Sequence, residues 1–212
     1  MTKVLILGAN GHVARHAIDL FLNETDAQLT LYLRNSGRLN IVDPARERVI
    51  EGDVNDLARL KEAMAGQDVV YANLGGSDIV QKTQNMIEAM NAMNVKRGIF
   101  INILGIYDEV PGKFGEWNKR MVGSGMDAWR KSARLLEESD FDYTILRCTW
   151  FTNKNEVEYE LTEKGEPLTG TEISRKSIAA LVIKLAESKE WGIRQSWGIS
   201  KPNTAGDKPA FY

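Results

Sequence analysis

Short apolar runs recur along the chain, at 4–7, 29–33, 48–50, 69–72, 99–103 and 143–147, and each reads as a strand. Several are apolar on both faces instead of alternating, which suits a parallel sheet covered by helices on each side. Between the runs the period changes to that of a helix. Val13, Ala17, Leu20 and Phe21 share one helical face, as do Ile79, Thr83, Met86, Ile87 and Met90, and later Ile178, Leu181, Val182 and Leu185. Asp53-Val54-Asn55-Asp56 ahead of Leu57 supplies capping acids, and Ser174 can cap the last of these helices. Alternation from end to end predicts an α/β protein with a doubly wound, mostly parallel sheet flanked by helices on both faces. Right-handed crossovers restrict the strand order, and the Rossmann order 3-2-1-4-5-6 is the expectation.

The alternation lapses at about 149–172, a polar stretch holding Gly165, Pro167 and Gly170, which reads as a long loop or a small lid and not as a domain. Residues 201–212, with two prolines and a glycine, read as irregular. With 212 residues the chain stays below the ~250–300 at which single cores stop growing, so one domain over 1–212 is expected. Hydrophobic residues at 43% and charged residues at 26% are those of a folded chain. A net charge of −2 gives no basic field to hold a nucleic-acid backbone or an anionic membrane, so neither is expected as a partner. Cys148 has no second cysteine to pair with, and beside His12 and His16 it is too little for a zinc cluster, so no metal and a reducing cytoplasm are expected. No apolar run approaches the ~18 residues of a membrane span, and 4–7 is shorter than the core of a signal peptide.

The chemistry is concentrated where the first strand meets the first helix. Gly8-Ala9-Asn10-Gly11-His12-Val13-Ala14 fills that turn. Gly8 permits the tight reversal, Gly11 lets backbone approach a phosphate, and Ala14 is small enough for the helix to sit on the sheet. The helix N-terminus then presents unpaired N–H groups and a positive dipole end to an anion. Asn10, His12 and Val13 complete the cradle, His12 through its backbone and not its ring. The other reading of the glycines is that they serve the geometry of the turn alone.

The spacing G-x-x-G-x-x-A resembles that of short-chain dehydrogenase/reductases of the extended and atypical kinds. Such a resemblance implies binding of the pyrophosphate of NAD(P)H. An NAD-specific site places an acid on the ribose 2′-OH at the end of the second strand, but here Leu33 is followed by Arg34-Asn35-Ser36-Gly37-Arg38. Arg34 can pair bidentately with a 2′-phosphate and Arg38 can add a second contact, with Asn35 between them, so NADP(H) is expected in preference to NAD(H). A solvated loop arginine is the alternative. Asp53 and Val54 after the third strand resemble the adenine-contacting acid and apolar neighbour of this superfamily, and Asn73-Leu74-Gly75 after the fourth resembles its Asn-Ala-Gly element. Against these stand a helix cap at Asp53 and a plain turn at Gly75-Gly76. The late strand Asp142–Arg147, followed by Trp150 and Phe151, resembles the loop beside the nicotinamide in the NmrA-like, NAD(P)H-binding group of atypical members. That likeness covers nearly the whole chain.

Hydride-transferring relatives use a Tyr-x-x-x-Lys pair, in which the lysine lowers the tyrosine pKa. No tyrosine of this chain has a lysine four residues on. Tyr143 and Arg147 share that spacing, but on a strand they lie ~13 Å apart and cannot cooperate. Asn102 stands where the family's serine would, and Tyr107 is the nearest proton donor; the plainer alternatives are a buried asparagine tying a loop and a half-buried loop aromatic. Lys113–Arg120, mixing cations and aromatics, reads as a rim over the cofactor. The expectation is an NADP(H)-dependent oxidoreductase acting on an unknown small molecule, a quinone or another carbonyl-like acceptor, since such acceptors take hydride and are protonated from solvent. The alternative is a non-catalytic protein that senses NADP(H) and signals to a protein partner. A nucleotide-sugar epimerase would need the Tyr-Lys pair and a larger substrate region.

Overall fold

The computed structural model describes all 212 residues. In chain order the elements are β1 (Lys3–Leu7), α1 (His12–Glu24), β2 (Gln28–Leu33), β3 (Glu47–Glu51), α2 (Leu57–Met64), β4 (Val69–Ala72), α3 (Ile79–Met93) and β5 (Arg97–Ile103). There follow α4 (Gly112–Val122), α5 (Gly125–Glu137), β6 (Asp142–Cys148), β7 (Trp150–Thr152), β8 (Glu160–Thr162), β9 (Glu172–Ser174), α6 (Arg175–Glu187) and β10 (Gln195–Ser200).

Eight strands form one sheet in the order β3-β2-β1-β4-β5-β6-β10-β8, parallel except for β8. The order expected for the first six strands is the order observed. Successive side chains of a strand point to opposite faces, and the core divides accordingly. Val4 and Ile6 of β1, with Val69 and Tyr71 of β4, turn toward α1 and α6, where they meet Phe21, Ile178 and Val182. Leu5 and Leu7, with Val70 and Ala72, turn the other way toward α2, α3 and α5, against Leu60, Met86 and Leu136. Both caps anticipated from the sequence form: the Asp56 carboxylate accepts from Arg59 N–H, and the Ser174 hydroxyl accepts from Ser177 N–H. No helix is long and apolar enough to cross a membrane.

The segment expected as a loop or small lid carries three short strands. Trp150–Thr152 and Glu172–Ser174 pair as a separate two-stranded parallel sheet, while Glu160–Thr162 adds antiparallel to β10 at the edge of the main sheet. β10 is itself an element the apolar pattern did not reveal. Its Gly198 lies under Leu168, where a Cβ would come within 3.1 Å of the leucine methyls, and its Ser196 and Ser200 hydroxyls bond Tyr107 and Glu160. Residues 201–212 form neither helix nor strand.

Candidate functional site

β1 and β4 are neighbours, so their ends bring two turns together. Leu7 pairs with Ala72, and Asn73 N–H donates to Leu7 O at 3.0 Å. Gly8 has φ +75°, and a Cβ there would lie 2.3 Å from Asn73 O; a Cβ on Gly11 would lie 2.1 Å from Asn73 Nδ2. The two glycines thus let the first turn close on Asn73. α1 begins immediately afterwards with Gly11 at its N-cap, no side-chain cap and no acid in its first turn. The N–H groups of His12, Val13 and Ala14 find no acceptor within the protein. Uncompensated amides at the positive end of a thirteen-residue helix can receive an anion.

A cavity of about 340 Å³ lies at the carboxyl ends of β1, β2, β3 and β4 and reaches the start of α1 at Gly11. Gly8, Asn10 and Gly11 line it from the first turn, and Arg34, Asn35 and Arg38 from the segment after β2. Asp53 and Val54 line it after β3, and Asn73, Leu74 and Gly75 after β4. Of the cofactor-binding candidates in this half, only His12 and Val13 do not line the cavity; Val13 is buried beneath α1 and His12 is exposed. Their amides are what this end offers.

The charge around the cavity is mainly positive: Arg34, Arg38 and Lys82 against Asp53. Arg34 Nη1 is 3.8 Å from Asp53 Oδ2 and its side chain is 78% exposed, so solvent screens the pair and the guanidinium remains free to bind elsewhere. Arg38 sits in a single 3₁₀ turn, Ser36–Arg38, fixed by Glu51, whose carboxylate accepts from Ser36 N–H at 2.9 Å and Ser36 Oγ at 2.5 Å. Those bonds hold the Glu51 carboxyl below its ordinary pKa. The Asn10 side chain turns to Arg15, whose guanidinium also reaches Arg38 O at 3.3 Å, so the two cavity walls are tied together.

Gly52 completes the lining after β3, and three further lining residues escaped the sequence reading. Tyr32, at the end of β2, donates its hydroxyl to Asp53 O at 2.8 Å and occupies the space that a Cβ on Gly52 would take. Burial, reinforced by the Asp56 and Asp53 carboxylates, pushes its pKa up to about 12. Leu33 follows it at the cavity wall. Lys82, one turn into α3, donates to Gly75 O at 2.8 Å and pairs with Asp78 at 2.7 Å, lowering the Asp78 pKa. Lys82 lies on the polar face of a helix whose apolar stripe drew attention; the sign available was a cation three residues past a helix start beside Gly75-Gly76.

Past β5 and β6 the arrangement is different. Asn102 is buried; its Oδ1 accepts from Ile103 N–H at 2.7 Å and its Nδ2 donates to Trp129 O at 3.4 Å. Tyr107 donates its hydroxyl to Glu137 at 2.6 Å and lies within 3.1 Å of Ser196 Oγ. Burial first, and then the bond to Glu137, raise its pKa well above the ordinary value. Beneath it lies a fully buried ion pair, Arg147 Nη1 to Glu109 Oε1 at 2.6 Å, with side-chain exposures of 0% and 2%. Glu109 also accepts from Gly105 N–H and Tyr107 N–H, and Arg147 donates to Thr162 O and Ser196 O, so the pair sets the loop after β5. Arg147 is therefore occupied far from Tyr143, whose ring carries Arg194 at 5.2 Å. Trp150 donates its indole N–H to Asn118 Oδ1 at 3.0 Å, and Phe151 stacks under Arg175 at 5.3 Å. Neither Trp150 nor Phe151, Asn102 or Tyr107 lines the cavity, and the expected rim on α4 packs on Trp150 instead.

Residues 8–189 match the family described as NAD(P)H-binding. Among solved structures, a Rossmann-fold NAD(P)-binding family protein from Shigella flexneri is 40% identical, with a TM-score of 0.86 and 100% of both chains covered. A wide-type short-chain dehydrogenase/reductase from Veillonella parvula, solved in complex with NADP, is 28% identical with a TM-score of 0.93 and 99% of each chain covered. A Bacillus subtilis protein named as an uncharacterized sugar epimerase is 25% identical over 201 residues, 88% of this chain and 89% of its own.

Proposed function

Because this chain belongs to the NAD(P)H-binding family, among the atypical short-chain dehydrogenase/reductases, we propose that it is an NADP(H)-dependent oxidoreductase reducing a small conjugated acceptor, a quinone or another carbonyl-like compound. The observation that carries the proposal is the uncapped start of α1, its amides without acceptors and three cations around the adjoining cavity. The His12, Val13 and Ala14 amides hold the pyrophosphate, and Arg34 and Arg38 take the 2′-phosphate through charge-assisted hydrogen bonds. Asp53, Val54 and Leu74 border the adenosine end. The NADP held by the Veillonella relative agrees with the choice of nucleotide.

When bound, the reduced nicotinamide supplies a hydride. The acceptor gains that hydride and one proton, giving a hydroquinone from a quinone and leaving the oxidised nucleotide. Tyr107 is committed to Glu137 and its pKa is raised, so the proton comes from water, which such acceptors permit. An epimerase role, which the name of the Bacillus relative suggests, lacks a Tyr-x-x-x-Lys pair in this chain.

A second reading is an NADP(H) sensor without turnover, favoured by the closed hydrogen bonding of Asn102 and Tyr107. Thermal shift with NADPH and NADH, followed by NADPH absorbance with a panel of quinones, flavins and aldehydes, separates the two. Consumption with at least one acceptor supports the oxidoreductase. Tight binding with no consumption supports the sensor, and no shift with either nucleotide overturns both.

A further inference from the structure

Three aromatic rings meet at the carboxyl edge of the sheet beyond β6. Trp117 of α4 and Trp150 of β7 stand edge to face, with centroids 4.9 Å apart and planes at 62°. Tyr212 fills the corner between them, 5.1 Å from Trp117 at 65° and 5.2 Å from Trp150 at 82°. Both indoles rest on a small cluster of Leu104, Val110, Phe114 and Leu168, and Leu104 directly follows the end of β5. The corner thus adjoins strand ends on the edge where open α/β sheets receive their ligands. The Trp150 N–H is already satisfied by buried Asn118, so Trp150 offers the corner aromatic surface and no free donor.

The ring that fills it is loosely held. Tyr212 is 50% exposed and Phe211 51%. Between 206 and 212, the polar ties to the rest of the protein are one bond from Ala210 N–H to the Glu172 carboxylate at 3.1 Å and the Lys113–Asp207 ion pair at 3.2 Å. That ion pair is exposed on both sides and contributes little. Pro209 is buried and anchors the segment, but the ring beyond it is half-exposed, and a two-sided aromatic corner carrying such a ring has the form of a binding site filled from within.

We propose that the corner between Trp117 and Trp150 binds the rings of the hydride acceptor, a neutral fused-ring quinone or similar conjugated compound, and that Tyr212 is an internal stand-in which the acceptor displaces. The proposal rests on the hydride-transfer reading above. It makes a prediction of opposite signs: the two walls help the acceptor bind and the stand-in competes with it.

The test is steady-state oxidation of NADPH by a naphthoquinone with the full chain and its Trp117→Leu, Trp117→Phe and Tyr212→Ala variants, each checked by thermal melting. Loss of one aromatic contact corresponds to a change of about fivefold. Trp117→Leu should raise the KM for the quinone about fivefold, and Tyr212→Ala should lower it by a similar factor, with the KM for NADPH unmoved. Trp117→Phe keeps a ring and should raise KM less, which covers the case in which the leucine variant does not fold. A quinone KM that is unchanged in all variants, or that rises in Tyr212→Ala, overturns the corner while hydride transfer stands. If NADPH is not consumed, the quinone is titrated into the NADP-loaded protein and tryptophan fluorescence is followed. Quenching that strengthens in Tyr212→Ala then supports the corner while hydride transfer falls; quenching that is absent or indifferent to Tyr212 overturns the corner too.

Discussion

Along the carboxyl edge of the sheet, the turns after β1 to β4 leave polar groups without partners, whereas those after β5 and β6 pair most of theirs, Arg147 Nε and Thr152 Oγ1 being exceptions. In the first region the amides of His12, Val13 and Ala14 have no acceptor in the protein, a cavity of about 340 Å³ is lined by Gly8, Asn10 and Gly11 just ahead of them, and Arg34 makes only a screened contact 3.8 Å long. In the second, Arg147 and Glu109 are buried against each other, and the donors of Asn102, Tyr107 and Trp150 all end on protein acceptors. Unsatisfied donors in a solvent-open cleft invite a ligand, while a buried network that is largely paired specifies a shape. The first region is built to hold something; the second is built to hold itself, and with it the loop that borders the first.

The largest effect expected from breaking this contrast lies in the closed region. Arg147→Met strands the Glu109 carboxylate in the core and should cost about 3–5 kcal/mol in urea unfolding, whereas the paired change Arg147→Met with Glu109→Gln should recover most of it. Equal losses in the single and double variants would show that the ion pair is not what holds the loop. Next comes Gly8→Ala, which combines a φ of +75° with a Cβ 2.3 Å from Asn73 O. It should cost about 1–3 kcal/mol and remove NADPH binding measured by calorimetry. Gly37→Ala is the control, since its nearest neighbour would be 3.8 Å away and its φ is not positive; stability should stay within about 0.5 kcal/mol.

A smaller effect concerns Glu172, the carboxylate that receives Ala210 N–H and Lys154. Burial works to raise its pKa, but these two bonds outweigh it and hold the carboxyl below the ordinary 4.5. A depressed folded-state pKa means that the stabilising contribution is complete above that ordinary value and is lost as pH falls through the folded one. The melting temperature should therefore drop below pH 4.5 partly on this account, and the drop should be shallower in Glu172→Gln. Identical acid limbs in the two proteins would remove Glu172 from the explanation.

How much of this was legible in the sequence follows the same division. The open region is built from local signals: glycines at a strand–helix turn, an arginine just past a strand, an acid after the next. Each announces itself within a few residues, which is why the turn, the strand order and most of the cavity lining were foreseeable. Lys82 and Tyr32 were missed because each reaches the cavity from an element valued for its apolar face. The closed region is made of distant pairs. Arg147 meets Glu109 across 38 residues, and Tyr107 meets Ser196 across 89. β10 escaped notice for the same reason, since its glycine and serines look like loop chemistry until Leu168, Tyr107 and Glu160 arrive to use them.

The central claim is that the open region holds NADP(H) through Arg34. Calorimetric titration of NADPH and NADH into the wild-type chain and Arg34→Ala tests it most directly. A charge-assisted contact to the 2′-phosphate corresponds to about a 10- to 100-fold change in Kd. Wild type should bind NADPH more tightly than NADH, and Arg34→Ala should weaken NADPH by that factor while leaving NADH nearly unchanged. Equal losses for both nucleotides, or no binding of either by the wild-type chain, would contradict it.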